Sequence, residues 1–199
     1  PNWNNDDQVS GIDYNESGTT HISIIDGYGN AISMTSTIES AFGSRKMSNG
    51  YFLNNELTDF SFSSEVNGNK VANSVQGGKR PRSSMTPTIV FDPMTNKPKI
   101  IIGTAGGSRI IGYVTQRIID MLYHEKSIME SISAAHFLSR GKEIEAERET
   151  EITKELESIG HKINFRSLPS GLNGIYINHQ KEQIIGASDP RRIGTAKGE

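Results

Sequence analysis

The sequence predicts a layered α+β fold, and three observations carry that expectation. Alternating hairpins come first, helical stretches cluster in the middle, and short strands close the chain. Strands and helices in separate runs favour layered α+β packing over a doubly wound parallel sheet. With 199 residues there is material for one sizeable domain or two small ones.

Residues 1–18, PNWNNDDQVSGIDYNESG, are polar and turn-rich, and read as an exposed arm. From His21 the pattern alternates through HISIID, turns at Asp26 to Asn30, and alternates again through AISMTSTI, which is a β-hairpin signature. GYFLNNELTDF reads as a shorter strand running into polar residues, and Ser61 to Gly78 as a polar loop. TPTIVFD and KIIIG, joined by a Pro93 to Pro98 turn, form a second hairpin. After the glycine-rich GTAGGSR, the spacing of Ile110, Ile111, Val114, Ile118, Ile119 and Leu122 predicts a helix. SIMESISAAHFLS is a second helix and EITKELESIG a third, stopped at Gly160. HKINF, GLNGIYIN and EQIIGAS are the closing strands, followed by the basic tail DPRRIGTAKGE.

Composition excludes several function classes. A net charge of -2 provides no basic stripe for nucleic acid. No run approaches the ~18 apolar residues of a membrane span. The absence of cysteine removes disulfides, thiol catalysis and thiolate zinc. The five histidines are scattered without HxxxH or HExxH spacing, which argues against zinc, and no GxSxG marks a serine hydrolase. A hydrophobic content of 34% hints that a partner chain completes part of the surface. No signal peptide is recognisable, and Pro1 reads as a trimmed start.

Four joints carry chemical potential. GTAGGSR lacks the lysine of a P-loop, so Gly106 and Gly107 read either as a packing turn or as two backbone donors of an oxyanion hole. Glu56 and Asp59 are a general acid and base, metal ligands, a receptor for an ammonium group, or solvated acids at a turn. Ser83 and Ser84 are turn residues or two hydroxyls for one carboxylate. Adjacent Thr19 and Thr20 are, by themselves, ordinary strand formers. Arg191 and Arg192 read as a solvated or salt-bridged end.

The order and spacing of TTH…DGYGNAISMT, LNNELTDF, KRPRSSMTPTIV, AGGSRII and GASDPRR resemble the small subunit of the γ-glutamyltranspeptidases, from Thr19 to the end. The resemblance implies the αββα sandwich of N-terminal-nucleophile hydrolases, with residues 1–18 as the end of a large subunit and 19–199 as the small catalytic subunit. It implies self-cleavage at Gly18-Thr19, after which Thr19 is the nucleophile and its own α-amine the base. That division of labour is chemically sensible, because a free α-amine titrates at roughly 7.7–8.0 while a threonine hydroxyl is inert without a base.

The same resemblance makes Thr37 a supporting threonine and Glu39, Glu56 and Asp59 contacts to substrate. Ser83 and Ser84 then meet the substrate α-carboxylate, and Gly106 and Gly107 face the oxyanion. Glu39 stands where many members have Asn, and Ala105 where bacterial relatives often have Pro. The Ser61 to Gly78 loop carries no tyrosine, so the lid of some members is missing. No metal or organic cofactor is implied. The implied partners are the large subunit, which carries the arginine for the substrate carboxylate, together with glutathione or another γ-glutamyl donor and an amino-acid or peptide acceptor. Periplasmic or secreted location follows from the family alone. Poly-γ-glutamate transpeptidases and cephalosporin acylases are the neighbouring activities, and an inert unprocessed precursor is the competing state.

Overall fold

The computed structural model describes residues 18–141 and 143–198. They fall into two compact units, one built from 18–19 and 37–84, the other from 20–36 and 85–198. Residues 1–17, read above as an exposed arm, lie outside the described residues.

The larger unit is layered. Strands β1 (Thr19–Ile25) and β2 (Ala31–Thr37) form the expected hairpin, whose terminal residues Thr19 and Thr37 group with the smaller unit. Asp26 makes the turn, its Oδ1 accepting from the backbone N–H of Tyr28 at 2.9 Å and of Asn30 at 2.8 Å.

In the chain order of this unit and the next, the short strands are β3 (Met47–Ser48), β4 (Tyr51–Phe52), β5 (Glu65–Val66) and β6 (Asn69–Lys70). Strands β7 (Thr88–Phe91) and β8 (Pro98–Gly103) follow, then helices α1 (Ile110–Tyr123) and α2 (Ile128–Ser133). The chain continues through β9 (Phe137–Ser139), β10 (Ile144–Ala146), α3 (Glu151–Ser158), β11 (Ile163–Phe165), β12 (Asn173–Asn178) and β13 (Gln183–Ser188).

The central sheet has the order β13-β12-β8-β7, all neighbours antiparallel. Successive residues of β8 face opposite sides. Ile100 and Ile102 pack on Ile110 and Val114 of α1 and Ile128 and Ile132 of α2, forming the main core. Gly103 faces the hairpin, where a side chain would collide with the imidazole of His21. Ser33 Oγ donates to the Ile102 carbonyl at 3.0 Å, and Asn173 Nδ2 to the His21 carbonyl at 2.7 Å. Hairpin, sheet and helices are therefore three successive layers.

Helix α2 is shorter than its sequence pattern. It begins at a capping box between Ser127 and Glu130, but ends at Ser133, and Phe137–Ser139 becomes a strand. Two arginines explain the stop. Arg117 donates to the carbonyls of Ser131 at 2.6 Å and Ala134 at 3.1 Å, and Arg191 to those of Ile132 at 3.1 Å and Ala134 at 2.8 Å. They satisfy the carbonyls that a helix end leaves orphaned. The freed chain then pairs as β9 in the sheet β11-β10-β9. Helix α3 starts at a Thr150–Thr153 box and stops at Gly160, which adopts φ 96°.

The smaller unit has little regular structure. Only Tyr51–Phe52 of the expected strand forms, paired with Met47–Ser48, and Glu56–Asp59 is a 3-10 turn. The Ser61 to Gly78 segment, expected as a loop, contains the β5–β6 hairpin. Both small hairpins turn at Asn-Gly pairs with positive φ, 50° and 83° at Asn49-Gly50 and 51° and 78° at Asn67-Gly68.

Candidate active site

At the start of β1 the Thr19 hydroxyl is 2.9 Å from that of Thr37, at the end of β2. Thr37 Oγ1 also accepts the Glu39 backbone N–H at 2.8 Å, which holds its hydroxyl in place against that of Thr19. Glu39 holds φ 68°, a conformation costing about 1–3 kcal/mol in a non-glycine residue. Its carboxylate stabilises that turn by accepting from Ser40 Oγ at 2.6 Å and from Asn55 Nδ2. Asn55 closes the circuit, because its Oδ1 accepts the Ser40 N–H at 3.0 Å and its own N–H donates to the Ile38 carbonyl at 3.3 Å.

Gly18, the residue before Thr19, is enclosed. A Cβ there would lie 2.7 Å from the Glu39 carbonyl oxygen, closer than real Cβ atoms come, and a tight 3.0 Å from that of Ser40. Its own carbonyl accepts the Ile38 N–H at 3.2 Å. No larger residue fits there without displacing the backbone.

Asn54 Oδ1 receives the Glu56 N–H at 3.0 Å and starts the 3-10 turn that carries Glu56 and Asp59. Asn73 Nδ2 donates to the Asp59 carbonyl at 2.6 Å, fastening its other end. Burial, Asp59 and Glu39 push the Glu56 carboxyl above its ordinary range. Burial and Glu39 push Asp59 up, with Arg82 partly offsetting them. Glu56 Oε2 is buried and accepts no hydrogen bond among the described residues. A buried carboxylate oxygen without a donor, beside two further carboxylates, is costly unless a proton neutralises it or a cation meets it. Ser83 is exposed and Ser84 half-buried, in the extended segment leading to β7.

In the larger unit, Gly106 (φ 142°) and Gly107 (φ 60°) form the turn between β8 and α1. Such angles favour glycine. A Cβ on Gly106 would meet the Tyr113 ring at 2.8 Å. His21 is structural. Its Nδ1 pairs with Thr35 Oγ1 at 2.7 Å, and burial lowers its pKa to about 4.

Sequence reasoning missed Asn55 and the buried tail network. Arg191 reaches Glu147 at 2.6 Å and Asp189 at 3.0 Å, and Ser170 Oγ donates to Asp189 while meeting His136 Nε2 at 2.8 Å. Of the two options for the tail, the salt bridge holds for Arg191. The density of cation and carboxylate in ERE and DPRR was the available signal.

The profile of the gamma-glutamyltranspeptidase family matches residues 2–199. The chain belongs to that family. It is 34% identical over 189 residues to the glutathione hydrolase proenzyme of Bacillus subtilis (strain 168), covering 92% of this chain and 31% of that protein. It thus spans about a third of the length of such relatives. The crystal structure of the Helicobacter pylori gamma-glutamyltranspeptidase T380A mutant superposes with a TM-score of 0.76 at 33% identity, covering 87% of this chain and 100% of that one. The Bacillus anthracis transpeptidase CapD superposes at 0.68 with 28% identity, over 90% and 99%. The fold is that of the N-terminal-nucleophile hydrolases, and the hairpin, sheet and helices are three layers of its αββα sandwich. Among the described residues no helix is long and apolar enough to cross a membrane.

Proposed function

We propose that this chain carries the nucleophile and the donor-ammonium receptor of a γ-glutamyltransferase and glutathione hydrolase. The observation that carries the reading is the unsatisfied, buried Glu56 Oε2 beside Asp59 and Glu39, a site that demands a cation. The α-ammonium of a γ-glutamyl group supplies N–H donors and a positive charge together. Ser83 and Ser84 then take its α-carboxylate.

Processing comes first. Thr19 Oγ attacks the Gly18 carbonyl carbon, the Gly18-Thr19 C–N bond breaks, and the acyl group passes to oxygen, leaving an ester and a free α-amine. Water hydrolyses the ester, residues 1–18 end in a carboxylate, and the small subunit begins at Thr19. The Ile38 N–H, already on the Gly18 carbonyl, is placed to stabilise the charge developing there. In turnover the amine takes the Thr19 hydroxyl proton, Oγ attacks the γ-carbonyl, and Gly106 and Gly107 N–H groups hold the oxyanion. The leaving amine departs with the proton. Water, or an acceptor amine, then takes the γ-glutamyl group from the ester.

The outer face of the hairpin supports a partner. Ile22, Ile24, Ile32 and Met34 are 43%, 42%, 51% and 53% exposed on one apolar surface. We assign it to the large subunit of the same precursor, in the periplasm or outside the cell as the family implies. Unprocessed, the chain is inert, because Gly18 still acylates the Thr19 amine.

The test compares γ-glutamyl anilide with its des-amino counterpart, glutaryl anilide, and with poly-γ-glutamate, on the processed enzyme. Strong preference for the free α-amino donor, lost in Asp59→Asn, is expected. Equal use of the glutaryl substrate would redirect the reading to an acylase.

A further inference from the structure

We propose that Glu145 is a positioning residue for the Gly106–Gly107 turn, acting through Arg109 and Arg140. The inference rests on the reading of that turn as the oxyanion donor.

The turn needs an external hold. Two successive residues sit in the left-handed half of conformational space, at 142° and 60°, and the turn is closed from within by backbone contacts alone, Arg109 N–H to the Gly106 carbonyl at 3.2 Å and Ile110 N–H to that of Gly107. The two residues that follow are gripped from elsewhere in the fold. Arg140 Nη1 donates to Ser108 Oγ at 2.6 Å. Arg109 makes a fork onto Glu145, Nε to Oε2 at 2.7 Å and Nη2 to Oε1 at 3.0 Å. The same Oε1 accepts Arg140 Nη2 at 3.1 Å and Arg166 Nη1 at 3.0 Å. Glu145 is thus the common anchor of both grips.

The anchor itself is rigid. It lies on β10, the middle strand of its sheet, opposite Leu138 on β9 and Asn164 on β11. Burial opposes its charge, but hydrogen bonds from Arg109 and Arg140 prevail and hold the carboxyl down to about 2. A planar, bidentate arginine pair fixes orientation as well as distance.

Positioning and simple electrostatics predict opposite signs. Three guanidinium groups against the one Glu145 carboxylate leave an excess of positive charge in this cluster, which reaches the turn through Arg109, two residues past Gly107. Removing the Glu145 charge increases that excess, so on charge alone Glu145→Gln would favour the oxyanion and raise kcat. If Glu145 holds the turn, the same change loosens the donors and lowers kcat.

The measurement is kcat and KM for γ-glutamyl anilide on the full-length precursor, expressed and autoprocessed, with melting temperature recorded for each variant. A whole oxyanion donor is worth roughly 10²–10³ in kcat, so a loosened turn predicts about a tenfold fall in Glu145→Gln with KM changed less than about twofold. Arg140→Met, which removes the Arg140 bond to Ser108 and leaves the Arg109 fork, predicts a smaller fall of about threefold. An unchanged or raised kcat in folded Glu145→Gln overturns the inference. If that variant does not fold, an unchanged kcat in Arg140→Met does so instead. Gly106→Ala tests the underlying reading separately. Full kcat in that variant removes the oxyanion assignment, whereas its loss beside normal Glu145→Gln and Arg140→Met overturns the tether alone.

Discussion

The two units put their free energy to different uses. In the larger one, Ile100, Ile101 and Ile102 are fully buried between layers, each contributing about 1.5–3 kcal/mol by burial. In the smaller one Phe60 is the sole buried large apolar side chain among the described residues. Its backbone is instead bent through positive φ at Glu39, Phe42, Arg45, Asn49 and Asn67 and held by hydrogen bonds. The layered core of one unit supplies stability, and the polar, strained segment of the other supplies the proposed nucleophile circuit and ammonium receptor.

That contrast can be broken most sharply at Gly18. Gly18→Ala forces a methyl onto the Glu39 and Ser40 carbonyls, so autoprocessing of the precursor should stop while the melting temperature of the larger unit stays within a few degrees. Gel analysis of the precursor checks it. The mirror experiment is Ile102→Ala, which should cost about 2–5 kcal/mol in denaturant unfolding and leave donor KM unchanged. Next in size, Asp59→Asn removes one charge-assisted contact worth about 1.5–3 kcal/mol, so donor KM should rise roughly 10- to 150-fold with the melting temperature unchanged.

The smallest effect is on pH dependence. Glu56 and Asp59 are raised by burial and by neighbouring carboxylates, so the ammonium receptor loses charge as pH falls through a range above that of ordinary acids. Donor KM should therefore climb on acidification, from a midpoint above the ordinary carboxyl range. Because Glu39 contributes to both shifts, Glu39→Gln should move the midpoint to lower pH. The same raised values mean these two carboxyls favour the folded state at low pH, and that contribution fades as pH rises through their folded pKa. On the proposed reading, their charge serves binding at a cost in stability.

How much of this was legible follows from the range of the interactions involved. The β1–β2 hairpin and α1 were readable because period 2 and period 3.6 are local, and the Asp26 turn completes its bonds within five residues. The Asn-Gly turns at 49–50 and 67–68 were also local, and the small hairpins they make were overlooked because the flanking strands are only two residues long. Helix α2 was overextended because Arg191, which caps its end, lies 57 residues beyond Ala134. In the candidate site, Thr19, Thr37, Glu56 and Asp59 were reached only through the family resemblance of the motifs that hold them. Asn55 as hub and Glu145 as anchor were not reached at all, since their partners are 16 and 36 residues away and only folding brings them together.

The central claim is that Thr19 becomes the nucleophile when its own peptide bond is cut. Intact-mass measurement and amino-terminal sequencing of the purified full-length precursor test it directly. Two polypeptides are expected, the smaller beginning at Thr19, and a single uncut, inactive chain for Thr19→Ala. Full activity from an uncut chain, or a smaller subunit beginning at any other residue, would contradict it.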